Sequence, residues 1–331
     1  MASSAERLPV LDGLRAVSIL LVLAAHMFPL GPKPFALNHT VGAMGMSLFF
    51  ALSGFLITRV LLHNADILDF MVKRTARIVP LAYLYAFLVF TVLVFEPGEI
   101  FWTASFLINY FTEHLNEYNA HYWSLCVEIQ FYAAIALVVL VAKTKGLWIV
   151  WPASLLITAL RVSYGAYIDI QTHLRVDEIL AGACVATIYD VSWQRWSKSA
   201  GSAVMVAAGL WFLSSSPHSG WVQYLRPYAT GLVLSAVLCH DNTMLARGLS
   251  AGLLRHVAAM SYALYVIHPI SVLGWWNQGS IAERYLLKRP ISVIVTFVLA
   301  LISTRYWERY WLGAAKSWSA RRKLLGAHST A

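Results

Sequence analysis

Long apolar runs follow one another from Leu14 almost to the end of the chain, separated by short polar breaks. A bilayer crossing needs roughly 20 apolar residues, or somewhat fewer when flanking side chains reach the interface. On that measure the pattern predicts ten spans, at 15–31, 41–62, 77–95, 122–142, 146–165, 175–191, 200–215, 224–240, 255–275 and 290–312. The third, fourth, eighth and tenth are the most apolar, while the sixth opens on Arg175, Asp177 and Glu178 and is the weakest. Segment 96–121 is acidic through Glu96, Glu99, Glu113 and Glu117, and its apolar stretch from Phe101 to Phe111 would lie along the interface or dip into the membrane. No internal repeat or low-complexity tract is visible. The expectation is an all-α, polytopic membrane helical bundle of about ten transmembrane helices. Residues 1–315 would form the membrane domain and 316–331 a short basic cytoplasmic tail.

Composition supports this class. Of the 331 residues 59% are hydrophobic and 12% charged, whereas a soluble domain carries about a quarter charged residues. That argues against a soluble enzyme, a disordered chain or a nucleic-acid module, despite a net charge of +9. The basic residues orient the spans instead. With both termini in the cytoplasm, the inside set is Arg7, Arg15, Arg59, Lys73, Arg74, Arg77, Lys143, Lys145, Arg195, Lys198, Arg247, Arg255, Arg309, Lys316, Arg321, Arg322 and Lys323. Outside lie Lys33, Arg161, Arg175, Arg226, Arg284, Lys288 and Arg289, and Arg305 falls within the last span. The tail Arg321-Arg322-Lys323 suits anionic lipid at the inner surface. Cys126, Cys184 and Cys239 sit in apolar segments without metal-site or disulfide spacing, so they read as small buried residues and no metal is expected. The first apolar run lacks the form of a cleavable signal peptide.

Ionisable groups inside spans are costly and usually serve a purpose. Arg15 and His26 lie eleven residues apart in the first span, which is about three helical turns, or roughly 16 Å. One face would thus carry a fixed cation near the cytoplasm and a titratable base deeper in. Asp12, three residues before Arg15, would neutralise it or cap the helix. Arg74 and Arg77 share a helix face at the start of the third span and suit a phosphorylated ligand or lipid headgroups. In His121-Tyr122-Trp123-Ser124-Leu125-Cys126-Val127-Glu128, the carboxylate enters an apolar run. It needs a partner, for which Arg161 or Arg175 is available. Arg175 with Asp177, and Tyr262 and Tyr265 with His268, complete the set. Aromatic residues at the last spacing also suit plain packing.

Six stretches in this order resemble the acyltransferase-3 family of integral-membrane acyltransferases. They are LDGLRAVSILLVLAAHM from Leu11, SLFFALSGFLITRVL from Ser47, KRTARIVPLAY from Lys73, HYWSLCVEIQFY from His121, LRVDEILAGA from Leu174 and SYALYVIHPI from Ser261. Bacterial members include O-acetyltransferases of O-antigen, exopolysaccharide and nodulation factors. Two positions depart from the family pattern. Ser47 stands where many members have Asp, and Ile129 where a second Glu often follows Glu128. The hydrolase-like domain that some members carry is not found, so the membrane domain is expected to do the whole job.

The resemblance implies transfer of an acyl group, usually acetyl from acetyl-CoA, to a glycan hydroxyl at the bacterial inner membrane. Acyl-CoA would dock its phosphates at Arg74 and Arg77, with Arg15 assisting. His26 would act as general base or acylated nucleophile, and Glu128 would orient an imidazole or hold a sugar. Ser53 would donate to the oxyanion or pack the helix through Ser53-Gly54. Asp12, His121, Trp123, Ser124, Arg175, Asp177, Tyr265 and His268 are further candidates for substrate or oxyanion contacts. The partners would be acyl-CoA, a glycan or lipid-linked sugar, and membrane lipid, with no nucleic acid and no permanently bound cofactor. Three alternatives remain: a transporter or flippase for a lipid-linked glycan, a same-family enzyme acting on a macrolide, and a sensor or scaffold without catalysis.

Overall fold

The computed structural model describes residues 8–192, 200–239 and 244–328. Arg7, Arg195 and Lys198 of the expected inside set lie outside the described residues. The described residues form helices and turns with no strand. The helices are α1 (Pro9–Met27), α2 (Leu37–His63), α3 (Ile67–Leu88), α4 (Gly98–Ala104), α5 (Tyr122–Ala142), α6 (Val150–Ser163), α7 (Asp177–Ser192), α8 (Ala200–Ser215), α9 (Arg226–Leu238), α10 (Met244–Leu249), α11 (Gly252–Ile267), α12 (Arg289–Ile302) and α13 (Arg309–His328).

Five helical runs among the described residues are long and apolar enough to cross a membrane: Pro9–Met27, Lys33–His63, Ile67–Leu93, Tyr122–Ser163 and Glu283–Leu325. The chain is therefore a membrane protein whose described residues are helical. The run Tyr122–Ser163 is 42 residues long, about twice the length of one crossing. Lys143 breaks it with a φ of 54°, and the tighter helical segment Lys143–Ile149 joins α5 to α6. α7, α9 and α11 have 16, 13 and 16 residues. At 1.5 Å per residue each is about 20–24 Å long, shorter than a full hydrocarbon core.

The chain divides into two compact units, Met1–Ala65 with Tyr122–Ser261, and Asp66–His121 with Tyr262–Ala331. In the first unit Leu11 and Leu14 of α1, Leu52 and Phe55 of α2, Trp211 of α8 and Leu234 of α9 belong to one buried core. Its tightest seam is α2 against α7. A Cβ on Gly54 would land on the carbonyl oxygen of Ile179, and one on Gly182 on that of Ala51. Only glycine allows backbones to approach this closely, as in small-residue helix seams within membranes. At Ser47, Trp211 Nε1 donates at 2.9 Å and Thr230 Oγ1 at 3.1 Å. The serine hydroxyl itself donates to the Met44 carbonyl at 3.0 Å.

In the second unit α3 packs along α13. Pro80 sits inside α3, and Tyr262 donates to the Ile78 carbonyl at 2.5 Å. A cleft of about 800 Å³ between these helices is walled by Val72, Ala76, Tyr83, Trp307, Trp311 and Trp318. It suits a hydrocarbon chain rather than chemistry. α13 continues without a break from Arg309 through the basic triplet to His328.

Candidate active site

α1 carries Arg15 and His26 on one face. Pro9 stands in its first turn, where a missing N–H costs nothing, and its N-cap is Leu8. Asp12 lies in the first turn rather than at the cap, so its carboxylate meets the positive end of the helix dipole. The buried neighbours Val22, Leu23 and Met27 face the core, while the His26 side chain is exposed. Asn38, at the start of α2, holds the turn that follows. Its amide donates to the carbonyls of Ala25 at 2.7 Å and Phe28 at 2.6 Å, and its oxygen accepts from the Leu30 N–H at 3.1 Å. These three bonds bracket His26. Nothing in the apolar pattern pointed to Asn38, whose role depends on the fold returning it to α1.

Glu128 is buried in α5, 5% exposed. Ser53 of α2 donates to its Oε1 at 2.5 Å, and Tyr132, one turn along α5, donates to the same oxygen. The Ser53 and Tyr132 hydroxyl oxygens are 3.2 Å apart. Arg161 and Arg175, the cations available to Glu128 by sequence, are engaged elsewhere. Arg161 Nη1 lies 2.6 Å from Asp177, and Arg175 Nη2 lies 3.2 Å from Glu178. Hence Glu128 rests on neutral hydroxyl donors. Tyr132 was missed as a candidate, although its i+4 spacing from Glu128 puts both on one helix face.

Arg175 and Asp177 belong to a larger buried cluster. Arg226, at the start of α9, pairs with Glu178 at 2.6 Å. Arg161, Arg175, Arg226, Asp177 and Glu178 are all 2% exposed or less. Three guanidiniums thus share two carboxylates, a surplus of one positive charge among these residues. Arg175 also lies over the Trp123 ring at 5.3 Å, and Phe50 meets that ring edge-on at 5.7 Å. Ser124 is buried one residue further along α5. Arg226 and Glu178 were missed as site residues. The available signal was that Arg161, Arg175 and Arg226 all fall on the same expected side of the membrane.

The division between the units falls inside the His121–Tyr132 stretch, after His121. His121 is 8% exposed and His268 2%. The His121 ring centroid lies 5.3 Å from Tyr85, 5.6 Å from Tyr265 and 5.6 Å from His268. Tyr265 donates to the His121 carbonyl at 2.8 Å. His268 Nδ1 is 2.7 Å from the Tyr265 carbonyl, to which it donates. Arg74 and Arg77 lie on α3 in this unit, with the Arg74 guanidinium 5.9 Å from the Phe70 ring. Within the first unit Ser53 meets Glu128 and Trp123 meets Arg175, and within the second His121 meets Tyr265 and His268, while Arg15 and His26 lie on α1 and Arg74 and Arg77 on α3.

Known proteins share this sequence pattern. O-acetyltransferase OatA of Staphylococcus aureus is 28% identical over 92% of this chain and 57% of its own length. Peptidoglycan O-acetyltransferase OatA of Listeria monocytogenes is 25% identical over 92% of this chain and 56% of its own. The chain thus spans little more than half the length of these relatives. No solved structure matches it. The family described as "Acyltransferase domain" matches residues 8–305, which include every one of these groups. The chain belongs to that acyltransferase family.

Proposed function

We propose that this protein transfers an acyl group, acetyl from acetyl-CoA in the simplest case, to a hydroxyl of a cell-envelope glycan. The family match over residues 8–305 carries this reading. Relatives named for O-acetylation, one of them specifically of peptidoglycan, make a peptidoglycan-type acceptor the first to test. In this reading the chain crosses the bacterial inner membrane ten times with both termini inside. Arg74 and Arg77 bind the donor phosphates, assisted by Arg15. His26 takes the proton from the acceptor hydroxyl, as a positioned imidazole can.

The test is incorporation of radiolabelled acetyl from acetyl-CoA into glycan by membranes containing the protein. Labelled glycan with the native chain, and a loss of about 10² to 10⁴ in rate with His26→Ala, is the expected result. His26→Gln keeps a polar group but takes up no proton, so near-normal turnover in that variant would remove the general-base role. Glycan movement across the membrane without acetyl transfer would establish a carrier instead.

A further inference from the structure

Ser53 and Glu128 have the relationship of a nucleophile and its base. The serine hydroxyl is 2.5 Å from Glu128 Oε1. Tyr132 donates to the same oxygen and so fixes the carboxylate. A third group orienting the base is a recurrent feature of activated nucleophiles. Arg161 and Arg175 pair with Asp177 and Glu178 rather than with Glu128. The next residue, Gly54, packs against the α7 backbone at Ile179, which holds this turn of α2 in place. Glu128 and Tyr132 are buried at 5% and 4% exposure, whereas Ser53 is half-buried. Ser53 is the least buried member of the three.

We propose that Ser53 carries the acyl group as an ester on Oγ between donor and acceptor, with Glu128 as its base. This deepens the acyltransferase reading and rests on it. In the first half, Oγ attacks the thioester carbonyl carbon and passes its proton to Glu128 Oε1. The C–S bond breaks, and the departing thiolate takes that proton to leave as CoA thiol. In the second half, the acceptor hydroxyl attacks the ester carbon and loses its proton to His26. The C–Oγ bond breaks, Oγ takes a proton relayed from water through Glu128, and His26 gives its proton up to water. No electron transfer is involved.

The purified protein, incubated with labelled acetyl-CoA without acceptor and quenched rapidly, should gain one acetyl group. Peptide mapping should place it on Ser53. Ser53→Ala should lose the label and at least about 10⁴-fold in turnover, the scale of removing a nucleophile. Ser53→Cys should recover a label of thioester character, cleaved by neutral hydroxylamine, which a packing role would not produce. Glu128→Gln should slow label formation while leaving the KM for acetyl-CoA near normal. Native protein that acetylates glycan without labelling Ser53, label found on His26, or Ser53→Ala with turnover within about tenfold of native would each overturn the proposal. Native protein that consumes no acetyl-CoA would remove the acyltransferase reading, and this step with it.

Discussion

Arg161, Arg175 and Arg226 reach one cluster from the end of α6, just before α7, and the start of α9, and they do not contribute equally. Arg161 and Arg226 each lie 2.6 Å from a carboxylate, while Arg175 is held more loosely at 3.2 Å and rests on Trp123. Removing one partner of a buried pair strands the other charge, at a cost of about 3–5 kcal/mol. Arg161→Met and Arg226→Met should therefore each lower stability by about that amount. Arg175→Met removes the surplus cation and should cost clearly less. Thermal unfolding of the three purified variants checks the order, and equal losses would show that Arg175 is no surplus. At the donor site, replacing Arg74 and Arg77 by Ala should raise the KM for acyl-CoA tenfold or more, since each charge-assisted bond contributes about 1.5–3 kcal/mol. Unchanged donor affinity would leave them as membrane anchors. Arg175, Asp177, Ser53 and Glu128 were all visible in the sequence as polar groups in apolar surroundings. Their partners were not, because Ser53 and Glu128 lie 75 positions apart and only tertiary packing brings them together.

The apolar pattern located helices well where a break carries its own chemistry. α6, α8 and α9 lie within the expected segments 146–165, 200–215 and 224–240. The polar pair Lys143 and Lys145 ends α5 at Ala142, where the expected span 122–142 also ends, but the pattern does not read the left-handed backbone at Lys143 or the π-helical turn Ser303–Glu308. Nor does it read which helices meet. The seam of α2 and α7 depends on glycine, which a hydropathy pattern treats as neutral. Gly54→Val should disrupt this seam and cost about 1–3 kcal/mol or more, the range for overpacking. Gly98→Val, where a Cβ meets nothing within 4 Å, lacks that overpacking penalty and serves as the control. Similar melting temperatures in the two variants would mean that α2 and α7 are not in backbone contact.

Between the ends of the second unit, Arg322 of α13 grips both carboxylate oxygens of Asp66 at 2.8 Å. The hydrogen bond from Arg322 is the main reason the Asp66 pKa lies below its ordinary value. A depressed carboxylate stabilises the fold above its unfolded pKa, near 3.9, and loses that contribution as pH falls through the lower folded value. Asp66→Asn should therefore remove a small acid-sensitive part of stability and have no effect below that window. The pair is partly exposed, so the difference should also shrink in high salt. The backbone contact between α2 and α7 has a consequence for turnover. Carriers work by rocking one group of helices against another, and two backbones with no side chain between them cannot slide without first parting. The pair should behave as a single strut throughout the cycle, so that the proposed acyl transfer proceeds while these helices stay still. A covalent cross-link engineered between α2 and α7 should then leave glycan acetylation at its native rate.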